Sequence, residues 1–205
     1  YSHLVPVLKH LRRILRGGQE LRIWDPYFCN GAMKRNLAEL GFPNAHNRNE
    51  DFYAVLASGK LPEHDVLMTS PPYSQDHIEK CIKHCAANER CYCLLLPNWV
   101  HTKDWFKALE KDKPSLRVDF CVGPLATAYP YWFPKGSPRP DHVDETGRTT
   151  PYKSSWHVHI PGKGEAEKVY KALEGEEKRQ TKWVLAKTVK GLKWKSKAKA
   201  KRWGY

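Results

Sequence analysis

The sequence predicts an α/β fold, with a mostly parallel central sheet and helices on both faces. Three observations carry that expectation. Short runs that are nearly apolar throughout, at residues 21–24, 65–69 and 91–96, have the composition of strands buried on both sides. Each leads into a stretch of helical periodicity, and this alternation is the rhythm of βαβ units. At 205 residues and 40% hydrophobic content, the chain is long enough to bury a sizeable core in one domain.

The elements follow in order. Leu4, Val7, Leu8, Leu11, Ile14 and Leu15 recur at helical spacing until Gly17 and Gly18 stop them, which gives an opening amphipathic helix. Residues 21–24 form a strand running into Asp25-Pro26, and residues 32–40 a helix that ends before Gly41. A short second strand is expected at 44–47 and a helix or turn at 51–58. The third strand, 65–69, stops abruptly at Ser70-Pro71-Pro72-Tyr73, and a helix follows over 76–87, with Asp76 placed to cap or charge its first turn. Residues 91–96 read as a buried central strand closed by Pro97, and 103–111 as a helix. Strand composition returns at 116–122 and 155–160, on either side of a long insertion at 124–150 rich in Pro, Gly, Tyr and charge. A late helix at 164–173 completes a body of residues 1–177, with 178–205 as a basic tail.

Charge is unevenly distributed. The net charge is +13, yet residues 178–205 hold eleven Lys and Arg and no acid, so the remainder is nearly neutral. Lysines such as Lys193, Lys195 and Lys197, interleaved with Trp183, Trp194 and Trp203, suit phosphate neutralisation combined with stacking on bases. The bland alternative is a solvated terminus or a nuclear address. No apolar run approaches the roughly 20 residues of a membrane helix, and no secretory pattern opens the chain. An intracellular protein of the nucleus, or of an organelle such as the mitochondrion, is expected. The start at Tyr1 rather than Met suggests an excised domain or a processed form.

Six cysteines without the spacing of a disulfide framework point to free thiols. Cys81, Cys85, Cys91 and Cys93 cluster with His84 but lack paired C-x-x-C knuckles, so no metal is expected. Their spacing instead puts Cys81 and Cys85 on one helix face, and Cys91 and Cys93 on one side of a strand. His157 and His159 alternate along a strand without a third ligand and read as structural. Serine-hydrolase and P-loop spacings are missing.

Two segments carry chemistry. Open α/β sheets bind ligands at the carboxyl ends of their strands. Asp25-Pro26-Tyr27-Phe28-Cys29-Asn30-Gly31 lies at such a place, where Asp25 can receive the amino group of a cofactor and Gly31 permits close backbone approach. Ser70-Pro71-Pro72-Tyr73 lies at another, where paired prolines fix a rigid turn. An exocyclic base amine is a poor nucleophile because its lone pair is delocalised into the ring. Acceptors at the Ser70 side chain and the Pro71 carbonyl would hold both amine protons and localise that lone pair, with Tyr73 stacked on a flipped or unpaired base.

In these motifs and their order the chain resembles the S-adenosyl-L-methionine-dependent amino methyltransferases with a (D/N/S)-P-P-(Y/F) motif, which methylate adenine N6 or cytosine N4. The resemblance implies a Rossmann-like methyltransferase fold and a cofactor loop comprising Asp25, Pro26, Tyr27, Phe28, Asn30 and Gly31. By the same resemblance, Asn47, Asn49 or Glu50 would meet the cofactor ribose in place of the family's usual acid, and Asp51 and Phe52 its adenine. The stretch 94–99 is similar to eukaryotic cap-adjacent adenosine N6-methyltransferases, which implies substrate contacts from Asn98 and Trp99. Tyr131, Trp132 and Lys135 belong to an aromatic, basic cluster suited to a base or single strand. The function expected is methyl transfer to a nucleic-acid base, RNA adenine N6 ahead of the rest, within a larger protein complex or alone. Glutamine methylation in a protein, and a catalytically inactive RNA-binding component of the same fold, are the alternatives.

Overall fold

The computed structural model describes residues 1–112, 118–125 and 153–203. Among these residues seven strands form one sheet: β1 (Ile23–Trp24), β2 (Ala45–His46), β3 (Val66–Thr69), β4 (Cys91–Pro97), β5 (Phe120–Pro124), β6 (Ser154–His159) and β7 (Trp183–Ala186). Their spatial order is β2-β1-β3-β4-β6-β5-β7. The β1–β2, β1–β3 and β3–β4 pairings are parallel. The β4–β6, β5–β6 and β5–β7 pairings are antiparallel.

The expectation of a mostly parallel sheet therefore needs correcting. β1 to β5 share one direction, but β6 is reversed and inserted between β4 and β5, and β7 is reversed at the edge, so half the pairings are antiparallel. The architecture is mixed α/β.

Among the described residues seven α-helices cover the sheet: α1 (Val5–Arg16), α2 (Ala32–Glu39), α3 (Phe52–Ser58), α4 (His77–Asn88), α5 (Asp104–Asp112), α6 (Glu165–Glu177) and α7 (Val189–Trp203). Strand alternation sorts the two faces. Val66, Met68, Cys91 and Cys93 meet α1, α2 and α6, whereas Leu67, Tyr92, Leu94 and Leu96 meet α3, α4 and α5. Cys81 and Cys85 thus share one face of α4, on the opposite side of the sheet from Cys91 and Cys93. Leu8 and Leu11 of α1 are fully buried, each contributing roughly 1.5–3 kcal/mol. Gly17 ends α1 at φ +58 and donates its N–H to the carbonyls of Arg12 and Arg13, a left-handed cap that needs glycine.

The segment expected as a basic tail is largely part of the fold. Trp183, Val184, Leu185 and Ala186 are all buried in β7, and α7 packs on β5 and β7 through Val189 and Leu192. Ser196 donates its hydroxyl to the carbonyls of Leu125 (2.6 Å) and Pro124 (3.3 Å). Lys199 donates to the Glu177 carboxylate at 2.9 Å, a pair that is nearly enclosed. The insertion at 124–150 falls mostly outside the described residues. No helix among them is long and apolar enough to cross a membrane.

Candidate functional site at the strand-order switch

From β1 the chain steps outward to β2, then returns to lay β3 on the other side of β1. The β1 loop feeds α2 on one face and the β3 loop feeds α4 on the other, which opens a crevice at the carboxyl ends of β1 and β3. Both sequence motifs leave the sheet there. Thr69, the last residue of β3, donates its hydroxyl to Asp25 Oδ1 at 2.5 Å, and the Tyr27 N–H donates to the same oxygen at 3.1 Å. Asp25 is buried, and burial pushes its carboxyl up to about 7 against the opposing pull of these two donors. Its Oδ2 accepts no hydrogen bond among the described residues.

The raised carboxyl has a measurable signature. Its contribution to stability is complete below the unfolded value near 3.8 and is lost as pH rises through about 7. Asp25→Asn, which keeps an acceptor for Thr69 and Tyr27, is expected to flatten that decline, as read from melting temperatures between pH 4 and 8. Parallel curves for variant and parent would contradict it.

The loop after β1 holds itself in shape. Asn47, buried at the end of β2, donates its amide to the carbonyls of Asp25 (3.1 Å) and Tyr27 (3.3 Å). Its Oδ1 is enclosed and unpaired. Asn30 Oδ1 accepts the Ala32 N–H at 3.1 Å. Gly31 sits at φ +70, and a Cβ there would lie 2.9 Å from the Phe28 ring. Asn30, Gly31, Asn47 and Phe28 thus shape the loop that is expected to hold the cofactor.

Next to Asp25 is a recess lined by Pro26, His46, Arg48, Glu50 and Phe52. Its volume is about 10 Å³, room for roughly one water-sized group. His46 and Glu50 pair across 3.4 Å at this recess. Asn49 and Asp51 do not line it. Asp51 is the N-cap of α3, its Oδ1 accepting the N–H groups of Tyr53 (2.8 Å) and Ala54 (2.9 Å). The cap uses Oδ1 and leaves Oδ2 as the atom for the expected adenine contact. Asp51→Ala should lower stability by about 1 kcal/mol in chemical denaturation, the cost of a lost cap. Phe52 is buried against Trp24 and Tyr27, with ring centroids 6.0 and 5.2 Å away. Beyond it, the Tyr53 hydroxyl and His77 Nδ1 hydrogen-bond and their rings stack, joining α3 to α4.

The Ser70 turn opens on the same edge. Ser70 is exposed, Pro71 is buried, and α4 begins only at His77. Tyr73 donates its hydroxyl to the Leu95 carbonyl and to Ser154 Oγ, both at 3.2 Å, so its ring is tethered to the start of β6. At the end of β4 the Asn98 N–H donates to the Lys153 carbonyl at 2.8 Å, and Lys103 lies over the Trp99 ring at 5.2 Å.

Beside this turn a cleft of about 680 Å³ separates α7 from the ends of β5 and β6. Asn98, Lys193 and Lys197, expected at the substrate, line it together with Lys153, Ser154, Ser155, Lys190 and Trp194. Lys195 does not. The helical period turns it toward α6, where it pairs with Glu174 at 3.8 Å. Trp99 also lies outside the lining, and Tyr131, Trp132 and Lys135 fall outside the described residues. Thr69, His46, Arg48, Lys153 and Ser155 join the two sites without a sequence motif that marks them. Thr69 was hidden in an apolar run, and only the β1–β3 pairing shows what its hydroxyl meets.

No protein-family model and no curated protein matches the sequence. Among solved structures, the chain is similar to a crystal structure from Legionella pneumophila str. Philadelphia 1, of the family model DUF519. Identity is 9%, with 90% of this chain and 95% of that one covered, at a TM-score of 0.44.

Proposed function

We propose that the chain has a Rossmann-like methyltransferase fold and methylates an exocyclic amine of a nucleic-acid base, RNA adenine N6 ahead of other acceptors. One observation carries this reading: the Asp25 loop and the Ser70 turn leave adjacent parallel strands at their carboxyl ends, joined by the Thr69–Asp25 hydrogen bond. An acid and a rigid proline turn thereby end neighbouring strands at the same edge of the sheet.

The donor set suits S-adenosyl-L-methionine. Asp25 has a free carboxylate oxygen for its ammonium, Glu50 for a sugar diol, and Phe52 and Pro26 an apolar surface for its adenine. When bound, the cofactor supplies a methyl group on a positively charged sulfur. The protein's own groups do the rest. Ser70 Oγ and the Pro71 carbonyl accept the two amine protons, the paired prolines hold that geometry without reorganisation, and Tyr73 packs on the base. Exposed Ser70 gives the departing amine proton a path to water.

Calorimetry tests this directly. An ammonium beside Asp25 favours its ionised form, so binding below pH 7 should release a proton and give a heat that depends on the buffer's ionisation enthalpy. Binding should tighten as pH rises from 5.5 to 7.5. The absence of any binding heat would sink the reading. A second reading, a scaffold of the same fold that binds RNA without turnover, is favoured by the 10 Å³ recess, which is too small for a nucleoside. Labelled methyl donor incubated with pooled RNA, DNA and protein separates the two, since the scaffold leaves every pool unlabelled.

A further inference from the structure

The basic segment divides by helical period. On α7, Lys195 and Lys199 face α6 and are neutralised by Glu174 and Glu177. Lys190, Lys193 and Lys197 stand on the other side at i, i+3 and i+7, have no acid partner among the described residues, and line the 680 Å³ cleft. Lys153 faces them from the start of β6. No acid is found among the described lining residues. Trp194, 70% exposed, stands between the lysines. Its indole thus offers a flat aromatic face at the cleft. Within the cleft Ser155, 3% exposed, carries a hydroxyl that is enclosed and unpaired. A buried hydroxyl without a partner calls for an outside one.

We infer that this cleft holds a single-stranded nucleic acid, its phosphates against Lys153, Lys190, Lys193 and Lys197, one base stacked on Trp194, and Ser155 bonded to the strand. Four cations converging on one groove select a polyanion, and the exposed indole selects bases that are free of a duplex. The cleft also ends at the right place. Asn98 and Ser154 line it, and Ser154 Oγ accepts the Tyr73 hydroxyl, so a strand lying along α7 arrives beside the Ser70 turn. The inference rests on the reading that the substrate is a nucleic-acid base, and it supplies the missing hold on the rest of the strand. It also explains why the helix is pinned so firmly, by Ser196 to the end of β5 and by Lys199 to Glu177.

The test is fluorescence anisotropy with a labelled 12-nucleotide oligo(U) and the matching oligo(dT) and hairpin duplex, on the full chain. The parent should bind the single strands more tightly than the duplex, with a log–log salt slope reflecting several phosphate contacts. Lys190→Gln, Lys193→Gln and Lys197→Gln combined should weaken binding at least tenfold and lower that slope by about 2, at roughly 0.7 per contact. Trp194→Ala should weaken binding about tenfold with no change of slope. A control triple of equal charge loss, Lys9→Gln, Lys34→Gln and Arg35→Gln, lies outside the cleft and should leave the slope unchanged. Equal losses in the two triples overturn the cleft while leaving the base-methylation reading intact. If the parent binds no oligonucleotide at all, both fall. A preference for the duplex overturns the single-strand assignment alone.

Discussion

Ser70→Ala is expected to lower turnover about 100-fold or more while leaving cofactor binding unchanged. The reason is geometric. Ser70 stands exposed at the end of β3 with no partner among the described residues, so its removal breaks nothing in the fold. What it removes is one of two acceptors that localise the amine lone pair. Loss of one preorganised hydrogen-bonding group at a reacting centre typically costs about 3 kcal/mol of transition-state stabilisation, which is the origin of the expected factor. Tyr73 separates two effects. Tyr73→Phe keeps the ring but loses the hydroxyl's bonds to Leu95 and Ser154, and should retain most turnover, whereas Tyr73→Ala removes the ring and should fall as far as Ser70→Ala. Single-turnover rates alongside calorimetric cofactor affinities make the comparison. Unimpaired turnover in Tyr73→Ala would remove the base-stacking role.

The second large effect is on stability. Glu177→Ala should destabilise the protein by about 3 kcal/mol, which for a chain of this length is a fall in melting temperature of roughly 6–12 °C. Glu177 and Lys199 are nearly enclosed, and Lys199 would be left with only the Glu177 carbonyl at 2.6 Å. The neighbouring residue supplies the contrast. Glu176 pairs with His10 at 3.4 Å but is 43% exposed on its side chain, so Glu176→Ala should cost less than about 1 kcal/mol. Equal losses at the two positions would show that the Lys199 contact adds nothing beyond a surface pair. Because the same pair anchors α7, Glu177→Ala should also weaken oligonucleotide binding.

What the amino-acid sequence disclosed depended on how each element is buried. β3 and β4 are covered on both faces and read as unbroken apolar runs, so they were legible, as was α1 with its Gly17 stop. β7 was not. Trp183, Val184, Leu185 and Ala186 form four apolar residues between lysines, in a segment whose charge dominates any window laid over it. Among its described side chains α7 has Val189 and Leu192 as buried apolar anchors, too few to show a helical face. The reversal of β6 was invisible for another reason: strand composition carries no direction, and its partners lie some 60 and 35 residues earlier. At the site, the positions of Asp25 and Ser70 at strand ends were legible because each follows an apolar run and interrupts it. Asp51 is legible as well, because an acid directly before an apolar stretch of helical character is a helix-start signal, and it caps α3.

The insertion of β6 between β4 and β5 has a consequence for synthesis. Until residue 159 leaves the ribosome, the nascent chain carries β4 with one edge bare, seven residues of nearly continuous apolar strand with open N–H and C=O groups. Such an edge is a template for pairing with other chains. Truncation products ending before β6 should therefore aggregate rather than fold as a smaller unit, and expression should reward rapid elongation or chaperone cover over the stretch that precedes it.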